Sequence, residues 1–152
     1  MIRACMGGTF DILHMGHKSL LERASSAATQ VVVGLTTDER AKKNRKTATL
    51  NSYEIRKRNL RNFLQEMGVL DKFTIVPLSD DWGPSVLEDD FDVIVVSQET
   101  KINADKINLI RMEDGKKELD IIVVPMMYAD DGSIISSSRI RNSEIDSSGN
   151  LT

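Results

Sequence analysis

Cysteine occurs once in these 152 residues, at Cys5, so an internal disulfide is excluded and a reducing, cytoplasmic setting is expected. No apolar run approaches the length of a membrane span, and no basic-then-apolar leader opens the chain, so no membrane partner is expected. The common phosphate fingerprints are missing too: neither G-x-G-x-x-G nor G-x-x-x-x-G-K-[ST] occurs. A net charge of −3 argues against a general nucleic-acid binder. Aromatic residues are scarce, and only Tyr53 is interleaved with the most basic stretch. What is present is ordinary for a globular domain: 40% hydrophobic and 28% charged residues in 17.0 kDa. That fits one domain over residues 1–152, with a polar tail from about 142 onward expected to fray. No long apolar stripe forces an interface, so the oligomeric state is left open.

The chain alternates. Apolar, β-prone runs lie at Ile2–Met6, Val31–Leu35, Phe73–Val76, Val93–Val96 and Ile121–Val124. Helical periodicity fills the gaps at about 16–28, 52–67 (Ile55, Leu60, Phe63, Leu64, Met67) and 104–112, with shorter helices expected after Pro84 and Ser136. Strands apolar on both faces, separated by helices, call for a parallel sheet covered on both sides. Right-handed crossovers then give a doubly wound α/β fold with its ligand at the carboxyl ends of the strands.

The most informative stretch is Gly7-Gly8-Thr9-Phe10-Asp11-Ile12-Leu13-His14-Met15-Gly16-His17. It reads as strand, tight glycine loop and helix, with both histidines in the first helical turn. Glycines let backbone approach a ligand closely, and a helix N-terminus offers unpaired N–H groups and partial positive charge. Histidines three residues apart share a helix face and can donate hydrogen bonds to phosphate oxygens, or carry charge if protonated. Three roles compete for the pair: a loop cap with a satisfied surface histidine, a zinc site, or a phosphate site. Zinc would want a third ligand with its own spacing, and Cys5 belongs to the strand, so phosphate binding is favoured. Asp11 is expected to buttress the loop or orient a histidine.

Two further stretches carry positive charge or hydroxyls. From Arg40 to Arg61 come Lys42, Lys43, Arg45, Lys46, Arg56, Lys57 and Arg58, against the single acid Glu54. Most of these read as a solvated loop and the polar face of a helix, while a lysine facing the glycine loop would hold an anionic substrate. Near the end, Ser136-Ser137-Ser138 precede Arg139 and Arg141, a serine-capped helix start that doubles as a second anion nest. Two nests suit a triphosphate.

The block GGTFDILHMGH resembles the signature of the nucleotidyltransferases that carry H-x-G-H and I-S-S-[ST]-x-x-R motifs. Within that superfamily the chain is most similar to the phosphopantetheine adenylyltransferases of archaea and of the eukaryotic coenzyme A synthase. The resemblance spans nearly the whole chain. It includes Val33–Glu39, Tyr53-Glu54-Ile55-Arg56, Val95–Thr100, Ile107-Asn108 and Arg111. It implies a Rossmann-like fold and a reaction of ATP with 4'-phosphopantetheine, giving dephospho-coenzyme A and pyrophosphate. Position by position, it implies that His17 and His14 bind the α-phosphate, with Gly7 and Gly8 lining the nucleotide site. Thr9 and Phe10 would line the nucleotide site as well and meet the attacking phosphate. Lys46, or failing that Lys42, would bridge the two phosphates. Ser136, Ser137, Ser138, Arg111 and Arg139 or Arg141 would hold the β- and γ-phosphates, and Glu99 the ribose or adenine. Mg2+ would accompany ATP with mostly water ligands, without a dedicated protein site.

Overall fold

The computed structural model describes residues 1–11, 13–40, 51–79, 90–98 and 100–125. The described residues form five strands: β1 (Arg3–Gly8), β2 (Gln30–Thr36), β3 (Phe73–Leu78), β4 (Val93–Ser97) and β5 (Asp120–Val124). Helices α1 (Met15–Ala27), α2 (Tyr53–Glu66) and α3 (Lys101–Glu113) lie between them, and a single 3-10 turn, Leu70–Lys72, leads into β3. All pairings are parallel, in the order β3-β2-β1-β4-β5. The doubly wound α/β architecture expected from the alternation is therefore the one observed.

The apolar runs explain the two-sided burial. In β1 the even positions Ala4 and Met6 enter one core with Val31, Val33 and Leu35 of β2 and Val93 and Val95 of β4; α1 and α2 cover this face through Leu21, Ala24, Leu60 and Leu64. The alternate positions of the same strands, Cys5, Val32, Ile94 and Val96, enter the other core, which Ala104 and Ile107 of α3 cover. Successive strand side chains point to opposite faces, so a run apolar at both parities can be satisfied only between two layers. At ~25 cal/mol per Å² of apolar surface, that double coverage is the main stabilising term.

Helix ends follow local chemistry. Ser52 caps α2, its Oγ accepting from Ile55 N at 3.4 Å. Gly68 and Gly115, at φ 76° and 75°, turn the chain out of α2 and α3 in the left-handed region that favours glycine.

The strand order sets the site. Strands β2 and β3 extend the sheet to one side of β1, while β4 and β5 extend it to the other, so the order reverses between β1 and β4. Strand β1 pairs with β2 all the way from Arg3 to Gly8, but with β4 only at Ala4 and Cys5. Beyond Cys5 no further β1–β4 pair forms, and the carboxyl ends of the two strands flank the crevice that such a reversal of order opens in doubly wound sheets. That is the switch point at which open α/β sheets bind ligands.

Candidate nucleotide site

Gly7 and Gly8 end β1 at this crevice. Their missing Cβ atoms make room for the protein itself. A Cβ on Gly8 would lie 2.8 Å from Phe10 Cε2, and one on Gly7 would lie 3.2 Å from Leu78 Cδ2. The glycines thus allow the loop to fold tightly on its own side chains, a tighter role than backbone approach to a ligand. Phe10 carries the consequence: it is buried, at φ 48°. A bulky residue in the left-handed region is strained and persists only where its surroundings over-determine it, as they do at binding loops.

His14 stands one position before α1 as its N-cap, and His17 is the third residue of the helix. The first-turn placement read from the sequence holds for His17; His14 is the cap. Its Nδ1 accepts the N–H of Gly16 at 3.1 Å, and a Cβ at Gly16 would meet the His14 ring at 2.8 Å. Glycine is therefore what admits the H-x-G-H turn. The two imidazoles stack, centroids 3.9 Å apart and planes 25° apart.

Burial pushes the His14 pKa down to about 4. For His17 burial, with the neighbouring His14 adding to it, lowers the value to about 3. Both rings are neutral at pH 7 in the free protein, so of the two roles open in sequence, the uncharged donor is the one present. Because His14 Nδ1 accepts, its proton sits on Nε2, which makes Nε2–H a donor with a fixed tautomer. The His17 Nδ1 atom is buried without a hydrogen-bond partner among the described residues. A buried polar atom left unpaired costs roughly 1–3 kcal/mol, a cost that a phosphate oxygen or a water bridging to one can relieve.

One residue that the sequence reading left on a polar helix face turns out to tie the loop down. Arg56 is completely buried. Its Nη1 donates to the carbonyls of Thr9 (3.0 Å) and Thr36 (2.7 Å), Nε to that of Asn51 (2.9 Å), and Nη2 to Asp38 Oδ1 (3.0 Å). Ile55, expected on the apolar face, is instead 40% exposed. The signal was available: Arg56, Leu60 and Leu64, the buried residues of α2, are spaced four apart. Asp11 acts beside it as the buttress expected, buried and accepting the N–H of Asn51 at 3.1 Å. Thr36 completes the tie, its Oγ1 donating to Gly8 O at 3.1 Å.

Gly7, Gly8, Thr9, Phe10, His14 and His17 therefore come together at the crevice. Arg111 does not join them. It lies in the last turn of α3, which runs from the carboxyl end of β4 back toward the amino ends of the strands. There it is fully buried and its Nε donates to Lys117 O at 2.8 Å, just ahead of β5. Asn108 pins the same approach to β5 through Leu119 N and O. The I-N-x-x-R segment thus anchors a connection at the far end of the sheet, a correction to the expectation that Arg111 meets the triphosphate. Lys42, Lys43, Lys46, Glu99, Ser136, Ser137, Ser138, Arg139 and Arg141 lie outside the described residues, as do the helices expected after Pro84 and Ser136 and the tail from 142.

Neutral imidazole donors at a helix start, beside a switch-point crevice, suit the phosphates of a nucleotidyltransferase. The family model described as Cytidylyltransferase-like matches residues 5–143. A phosphopantetheine adenylyltransferase from Methanosarcina mazei is 44% identical over 99% of this chain and 97% of its own length. Another from Methanopyrus kandleri is 42% identical over 95% and 90%. A crystal structure of a protein of unknown function from Archaeoglobus fulgidus, 31% identical, superposes with a TM-score of 0.72 over 81% of this chain and 89% of that one. The chain belongs to the phosphopantetheine adenylyltransferases, within the cytidylyltransferase-like family.

Proposed function

We propose that this chain transfers the adenylyl group of ATP to 4'-phosphopantetheine, forming dephospho-coenzyme A and releasing pyrophosphate, as a cytoplasmic step of coenzyme A biosynthesis. The observation that carries the reading is the stacked, neutral His14–His17 pair at the start of α1, with one ring nitrogen unpartnered among the described residues, in a chain of this family.

The chemistry asks little of the protein. The acceptor phosphate is already anionic at pH 7, so no general base has to activate it. Its oxygen attacks the α-phosphorus in line, the bond from the α-phosphorus to the α–β bridging oxygen breaks, and pyrophosphate leaves with that electron pair. What remains is positioning and the stabilising of charge. His14 Nε2–H and His17 donate to the α-phosphate oxygens, and the loop at Thr9 and Phe10 receives the acceptor phosphate. To residues outside the described range we assign the rest: Lys46, or Lys42, bridges the acceptor and α-phosphates. Ser136, Ser137, Ser138, Arg139 and Arg141 hold the β- and γ-phosphates, and Glu99 the ribose or adenine. Mg2+ bound to ATP would supply charge neutralisation on the phosphates. Phosphate oxygens and water would be its main ligands. No helix of the described residues is long and apolar enough to cross a membrane.

The description of the matching family favours one rival, a cytidylyltransferase on the same fold. A thermal-shift titration with ATP, CTP, phosphopantetheine and glycerol phosphate separates the two. Shifts with ATP and phosphopantetheine are expected; a shift with CTP and none with ATP overturns the assignment.

A further inference from the structure

We infer that Arg56 is a positioning residue for adenylyl transfer, acting on the acceptor phosphate through the Thr9–Phe10 peptide. The inference rests on the proposed reaction and adds a group that never touches substrate.

Consider what the guanidinium holds. Three of its nitrogens reach four acceptors on three separate segments: Thr9 O after β1, Thr36 O and Asp38 Oδ1 at the end of β2, and Asn51 O just before α2. Only a planar fork with several N–H groups can bridge these at once; a lysine ammonium lacks the span. Three of the four acceptors are main-chain carbonyls, so the arginine fixes backbone rather than side chains. Its burial is complete, and each carbonyl replaces a water the guanidinium has lost.

The direction of the Thr9 carbonyl matters most. In a trans peptide the C=O of one residue and the N–H of the next point opposite ways. Drawing Thr9 O onto Arg56 therefore turns the Phe10 N–H away from the guanidinium, the orientation that a phosphate received by this loop requires. The hydrogen bond from Thr36 Oγ1 to Gly8 O does the same one peptide earlier. Phe10, held at φ 48°, also sets its ring 5.0 Å from that of His17. One buried arginine thus determines where an amide donor and a catalytic imidazole stand relative to each other.

The expected signature is a loss in transfer without a matching loss of fold. Arg56→Lys retains the charge beside Asp38 but cannot bridge Thr9 O and Thr36 O. At a temperature where circular dichroism shows the variant fully folded, its kcat/KM for phosphopantetheine should fall ~10- to 100-fold, the scale of a misplaced reacting group. Affinity for ATP, read by calorimetry, should change far less. Asn108→Ala, which breaks buried hydrogen bonds at the opposite end of the sheet, serves as a destabilised control and should keep the wild-type kcat/KM. If Arg56→Lys does not fold, Asp38→Ala replaces it: this half-exposed partner is removable, and the loosened guanidinium should still lower kcat/KM for phosphopantetheine. The inference is overturned if the folded Arg56 variant (or Asp38→Ala in its place) matches wild type or loses no more than Asn108→Ala. It is equally overturned if ATP affinity falls as much as kcat/KM. A wild-type protein that transfers nothing to phosphopantetheine would refute the proposed reaction itself, before any variant is compared.

Discussion

The ring of Phe10 leans on the imidazole of His17, centroids 5.0 Å apart and planes tilted by 42°. The absent side chain of Gly8 is what gives the Phe10 ring its place. A methyl at Gly8 would have to displace a ring buried to 2% exposure, and that ring touches His17, the histidine proposed to hold the α-phosphate. Gly8→Ala should therefore cost roughly 1–3 kcal/mol of stability, as overpacking does, and lower kcat by ~10-fold or more. Thermal unfolding and steady-state rates read the two effects separately. A destabilised variant with wild-type kcat would show that the ring does not govern His17.

His17→Ala should lower the rate of pyrophosphate release by at least ~10²-fold, the scale of removing one transition-state donor. The fold should survive, because the substitution removes a buried nitrogen that makes no hydrogen bond among the described residues. Release assays and circular dichroism on the same sample check this; retention of full rate would remove His17 from the reaction.

Acid should weaken the fold through the same pair. Both imidazoles are held below their ordinary 6.5, His14 at about 4 and His17 at about 3, because burial penalises the charged form. The unfolded chain therefore binds more protons than the folded one between these values and 6.5. This contribution to stability is fully present above pH 6.5 and is lost as the pH falls from there toward 4 and 3. Melting temperatures measured from pH 7 down to 5, above most carboxylate titration, should decline in the wild type and decline less in His14→Gln/His17→Gln. Equal slopes would contradict neutral burial of the pair.

Arg111→Ala should unfold more easily by roughly 2–4 kcal/mol, the cost of emptying a buried, hydrogen-bonded site. The folded fraction should bind ATP as the wild type does, since α3 carries this residue to the amino end of the sheet. Calorimetric titration with ATP decides the point, and a large loss of affinity would restore Arg111 to the nucleotide.

Much of this was legible in sequence, for reasons that can be named. Val31–Leu35 and Val93–Val96 are apolar at both parities, which only a sheet covered twice can accommodate, and the parallel pairing followed from the helices between them; the order of the strands did not. The H-x-G-H stretch was legible as a helix start, but the cap was the alternative set aside: Gly16 lets the His14 ring cap the helix, and only His17 stands inside the first turn. The two arginines were misread for opposite reasons. Arg56 stands beside Lys57, Arg58 and Arg61, so its charge looked like theirs, although its spacing from Leu60 and Leu64 put it on the apolar face. Arg111 shares a face with Ala104 and Ile107. A helix following a strand in a parallel sheet must run back toward the amino ends, so its last turn could not reach the crevice. Motif resemblance assigned Arg111 to the phosphates where crossover geometry excluded it.

The most direct test is the product itself: the purified protein incubated with ATP, Mg2+ and 4'-phosphopantetheine, with the mixture weighed by mass spectrometry. Adenylylated pantetheine phosphate, formed in step with pyrophosphate and absent with His17→Ala, is the predicted result. Pyrophosphate formed only with CTP, or no adenylylated product from a folded, ATP-binding protein, would contradict it.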